Sequence, residues 1–262
     1  LHILKLNFSF KLLINILNIN ELIKHFTRFI CSKYLFIKCL FQLKNIGVER
    51  IDLIQLHCPP SEVYYRPEIF ELFDRLVDEG KIAHLGVSVE KVEEALKGIE
   101  YPNVKTVQII FNIFRQRPTE LFFREAAQKN IGILARVPLA SGLLTGKFSK
   151  ASSFAKDDHR NFNREGAAFD KGETFSGVEF ELGLETVEKL KAMFPGKPLS
   201  QLALKWILMY DEVSCVIPGA SNVAQVESNL EALQFNELSR EEMNSIKELY
   251  DQNIREPVHH LW

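Results

Sequence analysis

Residues 1–46 contain no alanine, glycine, proline, valine, aspartate, tryptophan or methionine. A packed domain does not run that long without turn formers, so this stretch does not read as globular structure. Acid is scarce there too: Glu21 stands against seven Lys and Arg, which gives +6, and since the whole chain carries −2 the remainder carries −8. The longest uncharged run, Leu12–Asn20, is nine residues including three asparagines. A bilayer takes about 20 mainly apolar residues, so no membrane span is expected. The first methionine is Met193, whereas a targeting peptide begins at an initiator. Three readings of residues 1–38 stand: translated AT-rich non-coding sequence, a basic leader that targets or lies on a membrane surface, or a true structural segment.

Cysteine is sparse as well. Cys31, Cys39, Cys58 and Cys215 form no C-x-x-C pair, so neither a metal site nor a disulfide framework is expected, and a reducing compartment, the cytoplasm, is the expected location. No G-x-G-x-x-G follows an apolar run, which weakens an open dinucleotide-binding sheet. A charge balance this close to neutral gives no footprint for nucleic acid.

What is present is patterned from about Leu40 onward. The chain has 262 residues, 46% hydrophobic and 25% charged, enough for one large α/β domain with a sizeable core. Lys44–Glu49 closes a helix at Gly47, and Ile51–Leu56 follows as a strand. Its apolar run ends in His57, Cys58, Pro59 and Pro60, which reads as a buried strand delivering an imidazole to its C-terminal edge. Helices are expected over Ile69–Glu79, Val92–Gly98, Leu121–Asn130, Glu179–Met193, Leu199–Met209 and Val223–Leu230, and strands over Ile82–Val89, Thr106–Asn112, Gly132–Leu139 and Ser214–Pro218. A Ser-x-x-Glu capping box, Ser239–Glu242, starts a last helix over Glu241–Gln252. Ser149–Gly177 breaks the rhythm as a long polar loop, a length usually reserved for a functional loop at a ligand face.

Five strands separated by helices imply parallel pairing with right-handed crossovers. Either an open sheet or part of a (β/α)8 barrel accommodates that. Polar residues gathered just after each strand, His57, Ser88, Gln108, Arg136 and Gly219, favour the barrel, whose chemistry sits on the C-terminal rim.

Those rim residues lie in an ordered set: Asp52-Leu53-x-x-x-His57, Gly86-Val87-Ser88, Val107-Gln108, Pro138-Leu139-x-x-Gly142-Leu143-Leu144-Thr145-Gly146-Lys147, and Val216-Ile217-Pro218-Gly219-Ala220 with Gln225-Val226 and Asn229-Leu230 beyond. Over roughly residues 39–255 the chain resembles the aldo-keto reductase family. The resemblance implies a (β/α)8 TIM barrel of which this chain, over residues 39–262, holds the C-terminal part and lacks the first three β/α units. It also implies NADP(H) as cofactor, a small carbonyl compound as substrate, and hydride transfer between them.

Residue by residue, the resemblance makes His57 the histidine that orients the substrate carbonyl. Ser88 and Gln108 become the pair that holds the nicotinamide carboxamide, although the family's usual Ser-Asn reads Ser88-Val89 here. Arg136 stands where many members place a tyrosine against the nicotinamide; a guanidinium there disfavours the oxidised, positive ring. Leu139, Ser141, Gly142 and Leu143 match the loop that wraps the pyrophosphate, and Gly142 permits close approach. Gly219, Ala220 and Ser221 match the turn near the adenosine phosphates, with Gln225 and Asn229 on the adenine side at the next helix N-terminus. No Lys or Arg flanks Ser221-Asn222-Val223, so NAD(H) stands beside NADP(H) as a possible cofactor.

The family mechanism also needs an Asp, a Tyr and a Lys on strands before the histidine strand. Here the first Asp is Asp52, on that strand itself, and the first Tyr is Tyr34. At about 30 residues per β/α unit, residues 1–46 offer half of what three units need, so the chain as written is expected to leave the barrel unclosed, to fold poorly and to lack turnover. Two functions follow: a reductase represented by an incomplete chain, or a non-catalytic, nucleotide-binding or subunit-associating member like the potassium-channel β-subunits.

Overall fold

The computed structural model describes residues 13–17 and 41–262; the readings made of residues 1–12 and 18–40 lie outside these. The chain divides into two compact units. Of the described residues, one takes 13–17 and 41–109 together with Glu125–Ile133, and the other takes Ile110–Arg124 with Leu134–Trp262.

In the first unit four strands, β1 (Leu13–Leu17), β2 (Ile51–His57), β3 (Ile82–Ser88) and β4 (Val104–Ile110), pair in chain order, each parallel to the next. β1 is an element that composition did not announce; a five-residue apolar run around Asn15 matches helix and strand equally, and pairing alone decides it. Residues 41–46 are helical and stop before Gly47, whose φ of 74° is the left-handed conformation of a helix exit. The expected helix of residues 69–79 runs from Pro67 to Asp78 as α1, since proline at the first position has a preset φ and needs no N–H partner. α2 (Val92–Gly98) has the expected bounds. Parallel strands alternate their side chains between two faces. Ile54, Leu56, Leu85, Val87 and Val107 lie on the apolar face, buried together with Ile69, Phe70, Phe73 and Leu76 of α1 and Ala95 of α2. The opposite face begins apolar, with Ile51 and Ile82, and turns polar towards the C-terminal ends of β2 and β3, where Gln55, His57 and Ser88 stand.

The second unit holds β5 (Gly132–Arg136), which enters it from Leu134, and β6 (Val213–Val216), its hydrogen-bonded neighbour. Its helices are α4 (Phe180–Met193), α5 (Leu199–Leu208), α6 (Val223–Glu231) and α7 (Arg240–Asn253), while α3 (Phe122–Gln128) spans the division between units. Phe111, Trp206 and Tyr210 form its aromatic centre, each pair of rings about the same distance apart, 5.0 Å. The capping box at Ser239 is present in full: its hydroxyl accepts from Glu242 N, and Glu242 accepts from Ser239 N.

Four strands end earlier than expected: β3 at Ser88 rather than Val89, β6 over Val213–Val216 rather than Ser214–Pro218, and with them β4 and β5. β4 stops at Ile110 rather than Asn112, because Asn112 turns the chain back through reciprocal backbone hydrogen bonds with Arg115. β5 stops at Arg136 rather than Leu139, because Val137 takes a φ of 51° and leaves the strand direction. The expected loop 149–177 is irregular, with short helical turns at His159–Phe162, Lys171–Glu173 and Phe175–Gly177, the first two capped by Asp158 and Asp170. No helix among the described residues is long and apolar enough to cross a membrane.

Candidate active site

In the first unit three of the expected residues form one transverse row. His57 pairs in register with Ser88, and Ser88 pairs with Gln108, so all three side chains share the polar face at the C-terminal ends of β2, β3 and β4. Ser88 is fully buried, while His57 and Gln108 are half-buried. Backbone bonds just past the strand ends hold the row: Cys58 N and the Tyr64 hydroxyl both donate to the Ser88 carbonyl, at 2.8 and 3.1 Å, and Val89 N donates to the Gln108 carbonyl at 2.9 Å.

Two residues back along each strand lies a second row, Gln55, Gly86 and Thr106, on the same face. Gln108 Nε2 donates to Gln55 Oε1 at 3.0 Å and Gln55 Nε2 donates to Thr106 Oγ1 at 3.4 Å, while the Ser88 hydroxyl donates to Gln108 Oε1 at 3.5 Å. Gln55 and Thr106 were not anticipated as site residues. Their signal is the period of two: each stands two positions before a rim residue, on the same side of the pleat.

In the second unit Arg136 lies at the end of β5 with its side chain only 6% exposed, and its guanidinium is ion-paired with Glu173. The positive charge expected against a nicotinamide is therefore balanced by a carboxylate from the 149–177 loop, a partner that could not be read from a position 37 residues away in sequence. The same loop is pinned twice more. The Ser141 hydroxyl donates to the Glu173 carbonyl and accepts from Phe175 N, both at 3.0 Å, and Asn112 Nδ2 donates to the Ser176 hydroxyl at 2.7 Å and to the Val137 carbonyl at 2.8 Å.

The pyrophosphate-loop candidates are arranged for packing. Gly142 has a φ of 101°, and a Cβ there would stand 2.8 Å from the Phe148 ring, so the space freed by glycine is filled by that ring. Leu143 is buried against α4, where a Cβ on Gly183 would come within 2.7 Å of its Cδ1. Leu139 precedes this turn and its carbonyl accepts from Gly142 N and Leu144 N. Beside Phe148 lies Arg160, whose guanidinium is paired with Asp158 and holds that carboxyl at about 2, well below its ordinary value.

At the adenosine-side candidates, Gly219, Ala220 and Ser221 are exposed and lead into α6, capped by Asn222, whose side chain accepts from Gln225 N at 3.0 Å. The Gln225 amide oxygen takes both Ser221 donors, the backbone N–H at 2.7 Å and the hydroxyl at 3.1 Å, and Asn229 Nδ2 donates to the Gly219 carbonyl at 3.3 Å. These four side chains shape the turn onto a helix N-terminus that favours negative charge. No Lys or Arg stands between residues 219 and 231.

The sequence profile of the aldo/keto reductase family matches residues 37–251. The chain is 28% identical over 238 residues to L-glyceraldehyde 3-phosphate reductase of Escherichia coli O157:H7, covering 88% of this chain and 66% of that protein. It is 27% identical over 212 residues to an aldo-keto reductase of Schizosaccharomyces pombe named for NADP(+), covering 80% of this chain and 60% of that one. Among solved structures, a glycerol dehydrogenase from Gluconobacter oxydans superposes with a TM-score of 0.68 at 27% identity, over 87% of this chain and 66% of its own. The chain thus spans a little under two thirds of the length of these relatives.

Proposed function

The chain belongs to the aldo/keto reductase family, and from that premise we propose that it is an NADP(H)-dependent oxidoreductase that reduces an aldehyde or ketone to the alcohol. The observation that carries this reading is the registered row of His57, Ser88 and Gln108 on one face of β2, β3 and β4. A carboxamide needs one donor to its oxygen and one acceptor for its NH2. The Ser88 hydroxyl and the Gln108 amide oxygen, which bond each other at 3.5 Å, become such a pair when a carboxamide takes the place of that bond, so the donor set fits the nicotinamide end. The Asn222-capped start of α6 fits a phosphate group through its N–H groups. The relative named for NADP(+) supports NADP(H) over NAD(H), with Ser221 and Asn222 as the polar groups beside the turn where a cation is absent.

Bound NADPH would supply the hydride. His57, at the end of its strand, donates to the substrate carbonyl oxygen and draws charge towards it as the alkoxide develops. Ser88 and Gln108 fix the ring's orientation, and with it the face presented to the carbonyl. Glu173 holds the Arg136 guanidinium in place and compensates its charge. The alkoxide also needs a proton, and among the described residues the row of His57, Ser88 and Gln108 holds no tyrosine to donate it. A second reading is a member of the family that binds cofactor without turning substrate over.

Two measurements on the one protein separate the readings: titration of NADPH fluorescence, and loss of NADPH absorbance in the presence of a simple aldehyde. Saturable binding with turnover is the expected behaviour of the reductase. Binding without turnover identifies the second reading, and no binding overturns both.

A further inference from the structure

We propose that Gln55 is a positioning residue which, through Gln108, decides how the cofactor's carboxamide is recognised. The inference rests on the cofactor reading above and extends it to a side chain that does not itself reach the rim: Gln55 is 8% exposed and lies one row deeper than His57.

A glutamine amide has two ends of nearly equal size and opposite hydrogen-bonding character. Left to itself, Gln108 would present either its oxygen or its NH2 beside Ser88. Here a directed chain makes the choice. Gln108 Nε2 is committed to Gln55 Oε1 at 3.0 Å, which turns Gln108 Oε1 towards the Ser88 hydroxyl. Gln55 is oriented in turn by donating to Thr106 Oγ1 at 3.4 Å. This last bond crosses the strand between them, and it exists because that strand has Gly86 in register: a Cβ on Gly86 would stand 2.1 Å from Thr106 Oγ1 and 3.1 Å from Gln55 Nε2. Gln108 thereby becomes an acceptor, selective for a ligand that brings an N–H. A ketone in place of the amide offers none.

The test is the ratio of two dissociation constants, for NADP+ and for its 3-acetylpyridine analogue, measured by titration calorimetry on the purified chain. Wild type is expected to prefer NADP+ by about tenfold, the size of one neutral hydrogen bond. Gln55→Met removes the acceptor and lets Gln108 turn, so the ratio falls to within about twofold of unity. Gln55→Glu, measured at a pH where its carboxyl is ionised, keeps the ratio, because a carboxylate has no donor and can only accept from Gln108 Nε2. Should Gln55→Met fail to fold, Thr106→Val reads the same chain: alone it lowers the ratio by freeing Gln55 to flip, and combined with Gln55→Glu, whose two oxygens are alike when ionised, it restores it. A wild-type ratio retained in Gln55→Met or Thr106→Val, or a ratio lost in Gln55→Glu, overturns the proposal. A wild-type chain that binds neither dinucleotide overturns the cofactor reading itself, and this inference with it.

Discussion

At the scale of single residues, the rim depends on what is missing from Gly86 as much as on what its neighbours carry. The Gln55 and Thr106 side chains bond over its Cα, and an added methyl would meet Thr106 Oγ1 at 2.1 Å. Gly86→Ala is expected to cost about 1–3 kcal/mol, the usual penalty for overfilling a packed face, and to lower cofactor affinity with it; chemical denaturation and cofactor titration of the variant check both. Arg136 shows the same dependence on a neighbour. Its guanidinium is nearly enclosed, and the carboxylate of Glu173 is what makes an enclosed positive charge tolerable.

At the scale of elements, α1 and α6 illustrate opposite uses of a helix. Ile69, Phe70, Leu72, Phe73 and Leu76 of α1 are all buried, whereas no residue of α6 is, and Val223, Val226 and Leu230 of α6 stand exposed. Phe73→Ala is therefore expected to destabilise by about 3–5 kcal/mol, and Leu230→Ser by less than about 0.5 kcal/mol, a contrast that denaturant midpoints at constant slope would show. The loop before α4 has its own pH dependence. Asp158 is held at about 2 against an ordinary 3.8, first by its bonds to the Arg160 side chain, then by the Arg160 backbone N–H and charge, against the opposing effect of burial. A lowered carboxyl stabilises the folded state fully above its ordinary range and loses that contribution as pH falls through the folded value. Solvent screening leaves an expected difference of about 1 kcal/mol between the unfolding free energies of wild type and Asp158→Asn above about pH 5, converging near pH 2.

At the scale of the whole molecule, a chain that matches its family over residues 37–251 covers less than two thirds of the relatives named above. The proposed cofactor binding has a thermodynamic signature independent of turnover. A ligand bound by the folded state alone at a hundred times its dissociation constant adds about 2.7 kcal/mol. A rise in melting temperature with NADPH, graded with concentration, is the expected result; a melting temperature indifferent to saturating NADPH contradicts the cofactor reading at this scale.

Sequence alone carried the alternation of strand and helix, the bounds of α2 and the capping box at Ser239. Periodicity, caps and glycine stops are local properties, and local sequence encodes them. It also carried the family, through an ordered set of short motifs. Tertiary structure decided what lies across from each residue. β1 was settled by its pairing with β2, since five residues, four of them apolar, have no period long enough to choose. The ends of β4 and β5 were settled by the Asn112–Arg115 turn and the left-handed Val137. The partners that define the site, Glu173 for Arg136, Ser176 for Asn112 and Gln55 for Gln108, are joined by hydrogen bonds or charge between residues 37, 64 and 53 positions apart. Such bonds leave no trace in the composition of either segment, because they arise from the register of strands and the return of a loop, and exist only once the chain has folded.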